Sequence, residues 1–307
     1  MTVLLFSHPA CLRHDPGVGH PERPQRLQAV MQGLSKASLP GLIRRDAPRA
    51  TRQQLERVHT HAHVERVFSF EHLSDRVTLD ADTHMSAGSL DAALHAAGAC
   101  CAAVDAVMSE ACRRAFCAVR PPGHHATADS AMGFCLFNSL AVAAAHALAA
   151  YGLERIAIAD FDVHHGNGTE SIFADEPRVL YLSSQQMPLY PGSGSPESQA
   201  ANACNVPLAP GSGSRQFRTA WRDTLLPALD AFAPQLLLVS AGFDADRRDP
   251  LAQIDAGPAD YAWITAQLCA LADRHAQGRM VSALEGGYDP EALLEDVLVH
   301  VRTMLES

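Results

Sequence analysis

The sequence predicts an α/β fold in which a parallel β-sheet lies between layers of helices. Short runs of β-forming residues alternate with longer alanine-rich stretches, and several of the short runs are apolar on both faces. Gly, Pro, His and Asp are concentrated in the segments that directly follow five of these runs. Strands that are buried on both faces belong to the middle of parallel sheets, and such sheets bind ligands beyond the carboxyl ends of their strands. We therefore expect the functional site at that edge.

Eight short runs rich in apolar and β-branched residues are the predicted strands: Val3–Ser7, Ile43–Arg45, Val77–Leu79, Phe116–Val119, Arg155–Phe161, Val179–Ser183, Leu236–Ser240 and Met280–Leu284. Six longer stretches are the predicted helices: Pro24–Ser35, Ser89–Ser109, Ser139–Tyr151, Ser214–Phe232, Pro258–His275 and Pro290–Leu305. The runs IAIADF, VLYLS and LLLVSAGF are apolar on both faces, which predicts that they form the centre of the sheet. The segments that follow the strands contain RPPGHHA, DVHHGNGT, YPGSG, DADRRDP and EGGYDP.

The composition excludes a disordered chain and disfavours nucleic-acid binding. Apolar residues account for 47% and charged residues for 19% of the 307 residues, a balance that supports a packed core. Because no repeat, low-complexity tract or linker interrupts the pattern, we expect residues 1–307 to form a single domain. The 24 Lys and Arg residues against 34 Asp and Glu residues give a formal net charge of −10. That charge repels phosphate backbones and attracts a cationic substrate.

The sequence has no features typical of secreted or membrane proteins. The longest apolar run, Leu140 to Ala150, spans about 11 residues, whereas about 20 are needed to cross a bilayer. The first residues lack the basic and apolar regions of a signal peptide. The eight cysteines form no C-x-x-C pair. We therefore expect reduced, buried thiols in a cytoplasmic protein that binds neither nucleic acid nor a membrane.

The segment that begins at Asp160 predicts a metal site. Asp162 and His164 are two residues apart, so in an extended strand both side chains point to the same face. A carboxylate beside an imidazole suits zinc or Fe²⁺, and Asp244, after the strand that begins at Leu236, is the candidate third ligand. Three protein ligands leave one coordination position open, as in catalytic sites. The alternative is that these residues cap helices or stabilise turns, and Asp160 either supports the ligands or caps the turn.

Two further segments supply candidate catalytic groups. His124 and His125 follow a predicted strand, and histidine titrates near neutrality, so the pair is suited to proton transfer beside a metal-activated water. Tyr288 follows Gly286 and Gly287, which allow the phenol to approach the metal and to donate to a developing oxyanion. The alternatives are histidines at the surface or in helix caps, and a tyrosine packed in the core.

Six short segments are distributed along most of the chain. They are GHPERPQRL at 19–27, RPPGHHA at 120–126, GFCLFN at 133–138, DFDVHHGNGT at 160–169, SAGFDA at 240–245 and EGGY at 285–288. Together they resemble the zinc-dependent histone deacetylase-like family, which includes bacterial acetylpolyamine amidohydrolases and acetoin-utilisation proteins. The segments occur in the order of that family and look more like its class II branch than class I.

The resemblance implies the three-layer arginase/deacetylase fold. In this fold an eight-stranded parallel sheet lies between helices, and the active site lies at the carboxyl ends of the strands. The resemblance implies that Asp162, His164 and Asp244 bind zinc, for which Fe²⁺ is the alternative. It further implies a structural potassium ion bound by main-chain oxygens around Asp160, Asp162, His164 and Ser183.

The resemblance also implies a role for each residue around the metal. His124 would lean on the Asp160 carboxylate. His125 would be the general base and acid, and Asn167 would support it. Tyr288 would stabilise the transition state. An asparagine at position 167, where class I members have Asp, would leave His125 less biased toward its charged form.

A narrow substrate tunnel is a further implication of the resemblance. Phe134, next to Gly133, matches one aromatic wall, and Tyr190 stands where the family usually has the opposite Phe. Two such rings would enclose an aliphatic, lysine-like stem and exclude water, the alternative being that both are core aromatics. Asp82 matches the rim aspartate that grips the substrate backbone. Arg26 is either the lining of an internal product channel or a charge on a helix surface.

The expected function is hydrolysis of the amide of N-acyl-lysine in peptides or proteins. The first alternative is an acetylpolyamine amidohydrolase acting on an acetylated small amine. Polyamine-selective relatives have Glu where this chain has Leu251, and Leu cannot pair with a secondary ammonium. A binuclear manganese ureohydrolase shares the fold, but the first metal loop lacks D-A-H-x-D. A non-catalytic acyl-ligand sensor is the remaining alternative, and a homo-oligomer is compatible with all of these.

Overall fold

The computed structural model describes residues 1–307 and contains ten β-strands: β1 (Val3–Ser7), β2 (Leu42–Asp46), β3 (Val77–Thr78), β4 (His84–Met85), β5 (Arg114–Cys117), β6 (Ile156–Asp160), β7 (Val179–Gln186), β8 (Ala203–Leu208), β9 (Leu236–Ala241) and β10 (Met280–Leu284). Eight of them form one sheet in the order β2-β1-β5-β10-β9-β6-β7-β8, and every pair in it is parallel. The eight-stranded parallel sheet is therefore confirmed. Strands β3 and β4 form a separate antiparallel pair.

Ten α-helices cover the sheet: α1 (Pro24–Lys36), α2 (Arg52–Leu55), α3 (His61–Phe68), α4 (Ser89–Met108), α5 (Ser139–Tyr151), α6 (Asn167–Phe173), α7 (Ser214–Ala220), α8 (Leu226–Phe232), α9 (Pro258–His275) and α10 (Pro290–Glu306). Strands β6, β9 and β10 are buried along their whole length, which requires helices on both faces. Helix α4 packs on α5, and α10 packs on α1 and α9. A π-helical segment, Trp221–Leu225, joins α7 to α8, so the helix predicted over 214–232 is continuous.

Several predicted elements differ from the structure. The predicted strand Val77–Leu79 is a two-residue strand, Val77–Thr78, which pairs only with β4 and lies outside the eight-stranded sheet. The eighth strand of the sheet is Ala203–Leu208, an edge strand whose Asn205 and Pro207 obscure the apolar signal. Strand β5 begins two residues before the predicted Phe116. Helices α2, α3 and α6, at four to eight residues, are too short for a clear periodicity.

Helix α4 is the one helix whose length and composition would allow it to cross a membrane. Within the fold, however, 78% of the most apolar 18-residue stretch of this helix is buried. Its side chains pack on α5 and on β1, β5 and β10, as those of a core helix do.

A buried charge network ties the amino-terminal loop and the start of α1 to the segment after β5. The Glu22 carboxylate accepts hydrogen bonds from Nε and Nη2 of Arg120 at 2.5 and 2.6 Å, and from Nη1 of Arg26 at 2.9 Å. All three side chains are fully buried. Burial opposes ionisation of Glu22, but the two guanidinium groups and His14 hold its pKa well below its usual range. Since Arg120 also donates to the carbonyls of Cys11 and His14, the amino-terminal loop is fixed against the segment after β5.

We expect Glu22→Gln to lower the free energy of unfolding by about 3–5 kcal/mol, because it leaves two buried guanidinium groups without their counter-ion. The measurement is equilibrium denaturation in urea. The matched control is Glu295→Gln, which removes a carboxylate paired with Arg248 at the surface and should cost no more than about 1 kcal/mol. Equal free energies of unfolding for the two variants would show that the buried ion pairs of Glu22 stabilise the fold no more than a surface ion pair does.

Candidate active site

Three candidate metal ligands meet at the carboxyl edge of the sheet. One ligand atom from each of Asp162, His164 and Asp244 lies within 4.8 Å of the other two, and all three residues are buried. Nδ1 of His164 is 3.0 Å from Oδ1 of Asp162 and 3.1 Å from Oδ2 of Asp244. The geometry thus brings together the residues that the sequence singled out.

The reason for this convergence differs from the one predicted. Strand β6 ends at Asp160, so Asp162 and His164 lie in the following loop and not on one face of a strand. Two side-chain to main-chain hydrogen bonds fold that loop. Oδ1 of Asp160 accepts from the Asp162 amide at 3.1 Å, and Oδ1 of Asp162 accepts from the His164 amide at 2.9 Å.

The donor set fits a divalent transition metal. Two carboxylates and one imidazole are the ligand types of catalytic zinc and Fe²⁺ sites, and they leave coordination positions open. Burial alone would lower the pKa of His164, but the Asp162 and Asp244 carboxylates raise it to about 10. The field at this point therefore favours positive charge. Glycines make the close approach possible, because a Cβ on Gly242 would lie 2.1 Å from Oδ2 of Asp162, and one on Gly286 would lie 2.0 Å from Oδ2 of Asp244.

Asp160 joins the metal loop to the first histidine of the pair. Its Oδ2 is 3.0 Å from Nδ1 of His124 and accepts a hydrogen bond from the Tyr181 hydroxyl at 3.0 Å. In the sheet, Asp160 pairs with Ser183 across β6 and β7. These two residues belong to the set predicted to surround a potassium ion, which stays a prediction.

The two adjacent histidines have different partners. Nδ1 of His125 is 2.8 Å from Oδ1 of Asn167, whereas His124 faces the carboxylates of Asp160 and Asp162. Burial opposes charge on His124, but these carboxylates hold its pKa well above its usual range. Burial, together with His124 and His164, holds the pKa of His125 well below its usual range. The surroundings thus favour the charged form of His124 and the neutral form of His125, a difference typical of acid and base partners.

The loop that carries Tyr288 is fixed from three sides. The Gly286 amide donates to Oδ2 of Asp162 at 2.9 Å, and the Tyr288 amide donates to Oδ2 of Asp249 at 2.6 Å. Arg26 donates to the carbonyls of Glu285 and Gly287, and its guanidinium lies 4.7 Å from the centre of the Tyr288 ring. Arg26 is fully buried, so its interpretation as a helix-surface charge is wrong. Gly287 has φ +117°, a conformation that favours glycine.

A cavity of about 210 Å³ leads to this site. Its lining includes eight of the predicted residues together with Leu189: Asp82, His125, Gly133, Phe134, His164, Leu189, Tyr190, Leu251 and Tyr288. The Tyr190 ring centre is 5.1 Å from that of His125, and the Phe134 ring centre is 5.8 Å from that of Tyr288. Gly133, at φ +55°, packs so closely on His125 that a Cβ would lie 2.4 Å from the ring.

The second histidine of the DVHHG segment anchors the loop that carries Tyr190. Nδ1 of His165 is 2.8 Å from the Ser193 hydroxyl, and its Nε2 is 2.7 Å from Oε2 of Glu170. Glu170 also accepts from the Ala200 amide at 2.8 Å. The cavity wall at Tyr190 is therefore held by side chains outside the cavity.

Two buried carboxylates of the site were missed by sequence reasoning. Glu285 accepts hydrogen bonds from the amides of Gly123 and His124 at 2.6 and 3.2 Å, so it holds the histidine pair. Asp249 accepts from the amides of Leu251 and Tyr288. Both are acidic residues in the polar loops after β10 and β9. Their place in those loops was the only feature of the sequence that could have marked them as part of the site.

The chain is similar in sequence and in structure to known deacetylases. A family model described as the histone deacetylase domain matches residues 20–304. The histone deacetylase-like amidohydrolase of Pseudomonas aeruginosa is 40% identical over 88% of this chain and 73% of that protein. A probable deacetylase of Archaeoglobus fulgidus is 36% identical over 96% of this chain and 83% of that protein. The crystal structure of the HDA15 HD domain superposes with a TM-score of 0.94 at 35% identity, over 100% of this chain and 89% of that one.

We expect Gly286→Ala to lower the zinc content of the purified protein well below one ion per chain, because the added Cβ displaces the Asp244 carboxylate. The measurement is metal analysis by mass spectrometry after reconstitution with zinc and removal of excess ion. Gly213→Ala is the matched control, since the nearest atom to its Cβ is 3.5 Å away. Full zinc loading of Gly286→Ala would show that the close approach is not required for metal binding.

Proposed function

Because the chain belongs to the histone deacetylase family and is a hydrolase, we propose that it cleaves the amide of N-acyl-lysine, of the acetyl-lysine type, in peptides or proteins. The products are a free amine and a carboxylate. The observation that carries this proposal is the cavity of about 210 Å³ whose lining combines the Phe134 and Tyr190 rings with His125, His164 and Tyr288. An aliphatic stem fits between two aromatic rings, with its terminal amide beside groups that transfer protons.

Asp162, His164 and Asp244 are the residues that would hold the metal. A zinc ion bound there, or Fe²⁺ in its place, supplies a Lewis acid that polarises the acyl carbonyl and lowers the pKa of water. The chain's own contribution is to keep both carboxylates buried and aligned through the main-chain amides of Val163 and Gly286.

His125 is the group that moves the proton. Its Nδ1 is bound to Asn167, which leaves Nε2 free, and its low pKa keeps that nitrogen unprotonated near neutrality. Nε2 therefore accepts the proton of the attacking water and then delivers it to the leaving amine. His124, held by Asp160, lies beside His125, and the Asp162 and Asp160 carboxylates raise its pKa against the effect of burial, which favours a positive charge next to the proton-transferring histidine.

Tyr288 completes the site as a hydrogen-bond donor. Burial raises the pKa of its phenol well above its usual range, so the hydroxyl keeps its proton. The hydroxyl then donates to the oxyanion that forms as the carbonyl carbon becomes tetrahedral.

The rim of the cavity favours a peptide over a polyamine. Leu251 lines the cavity and would present an apolar surface, with no carboxylate, to the substrate. Asp82 also lines the cavity and offers a carboxylate to the substrate backbone. An acetylpolyamine amidohydrolase is the second candidate, and the net charge of −10 is the observation that favours it.

The test of the proposal is amine release from an acetyl-lysine peptide and from an N-acetylpolyamine, measured side by side with zinc-loaded protein. We expect a higher kcat/KM for the peptide. Leu251→Glu should raise kcat/KM for the polyamine by about tenfold or more, because it adds a carboxylate for the distal ammonium. Faster cleavage of the polyamine by the unmodified protein would reject the peptide assignment, and cleavage of neither would reject both candidates.

We expect Tyr288→Phe to lower kcat by about 100-fold, as for the loss of one oxyanion donor, while the metal content stays unchanged. The measurements are steady-state kinetics with the preferred substrate and metal analysis of the same sample. Tyr151→Phe, which removes a hydroxyl bound to Asp105 far from the cavity, should leave kcat within about twofold. Turnover by Tyr288→Phe close to that of the unmodified protein would refute the role given to Tyr288.

A further inference from the structure

A buried carboxylate beside the site has no part in the chemistry described above. Asp249 lies in the loop after β9, and only 7% of it is exposed. Its Oδ2 accepts a hydrogen bond from the Tyr288 amide at 2.6 Å, and its Oδ1 accepts one from the Leu251 amide at 2.9 Å. We propose that Asp249 is a positioning residue that places the Tyr288 hydroxyl and the cavity rim with a single carboxylate. This inference rests on the proposed function of Tyr288.

The Tyr288 side chain has no hydrogen bond that could hold it in place. Its ring lines the cavity, and its contacts there are the edge-to-face packing with Phe134 and the guanidinium of Arg26. The position of the hydroxyl therefore depends on where the main chain places residue 288. The amide of Tyr288 donates to Oδ2 of Asp249 at 2.6 Å, at the short end of the range for N–H···O hydrogen bonds, so this contact constrains residue 288 directly.

The flanking main chain needs such a constraint because it contains two glycines. Gly286 and Gly287 precede Tyr288, and the positive φ of Gly287 shows that the chain turns sharply there. Arg26 holds the carbonyls of Glu285 and Gly287, which fixes the loop up to residue 287. Asp249 supplies the next anchor along the chain, at the amide of the tyrosine itself.

The same carboxylate couples the tyrosine to the mouth of the cavity. The bond from the Leu251 amide to Oδ1 closes a turn within the loop after β9, and the Leu251 side chain lines the cavity. The rim and the oxyanion donor thus share one rigid anchor. A displacement of about 1 Å at a catalytic group can cost about 100-fold in rate.

The loop after β9 offers a matched control. Asp246 closes the same kind of turn, because its Oδ1 accepts from the amide of Arg248, two residues later, at 2.8 Å. It is also buried, at 2% exposure, but its carboxylate accepts from the Arg248 side chain and not from the amides of Tyr288 and Leu251, which donate to Asp249. Asp246→Asn therefore measures the effect of losing a buried turn carboxylate that has no hydrogen bond to Tyr288 or Leu251.

We expect Asp249→Asn, which keeps the size but loses one acceptor, to lower kcat by about 10- to 100-fold. KM for the peptide should change less than threefold by the same reasoning, since the aromatic walls remain. Asp249→Ala, which removes both acceptors, should have at least as large an effect. Asp246→Asn should keep kcat within about twofold, and metal content and melting temperature are measured for every variant.

A double-variant comparison separates positioning from general damage. If Asp249 acts through Tyr288, then Asp249→Asn combined with Tyr288→Phe should be no slower than Tyr288→Phe alone. The inference would be overturned if the loss of kcat in the double variant equalled the product of the two single losses. It would also be overturned if kcat were unchanged in both Asp249→Asn and Asp249→Ala.

Hydrogen exchange supplies a readout that does not require activity. The Tyr288 amide should exchange at least tenfold faster in Asp249→Asn or Asp249→Ala than in Asp246→Asn, because it loses its acceptor. If the unmodified protein cleaves no acyl amine, the proposed function fails, and the exchange data still decide whether Asp249 holds Tyr288. Equal protection of the amide in all variants would overturn the positioning role.

Discussion

The buried ion pairs of Glu22 are the constraint on which the geometry of the site depends. A carboxylate and two guanidinium groups without access to water are stable only as a set, so the segments that carry them cannot separate. Arg120 immediately precedes the Pro-Pro-Gly turn that leads to His124 and His125. Arg26 holds the main chain just before Tyr288. The histidine pair and Tyr288 therefore take their relative positions from a charge network whose side chains do not line the cavity.

The two histidines of the pair differ in chemistry because they have different hydrogen-bond partners. His124 and His125 are neighbours in sequence, and their ring centres are 4.0 Å apart. The carboxylates that face His124 raise its pKa strongly, whereas the Asn167 amide raises the pKa of His125 only as a minor effect against burial and the neighbouring imidazoles. A charge on His124 also disfavours a charge on His125, so the difference between the partners Asp160 and Asn167 is reinforced.

The sequence was sufficient for the central strands and for the loops that carry chemistry. Runs such as IAIADF lack a polar face because they are buried on both sides, and their carboxyl ends meet in any parallel sheet. The edge strand Ala203–Leu208 was missed, because one exposed side removes the need for a continuous apolar run. Glu285 and Asp249 were not predicted either. Their function depends on which amides face them, and a linear sequence does not contain that information.

The position of β10 in the sheet bears on how the protein is made. Strand β10 follows the other strands of the sheet in sequence, yet it lies in the middle, between β5 and β9, and pairs with both. Until it is synthesised, the strands before it can form only two half-sheets with unpaired inner edges. Such edges invite association with other chains. The sheet therefore stays divided until β10 is in place, and a variant without β10 would have two incomplete half-sheets rather than a smaller enzyme.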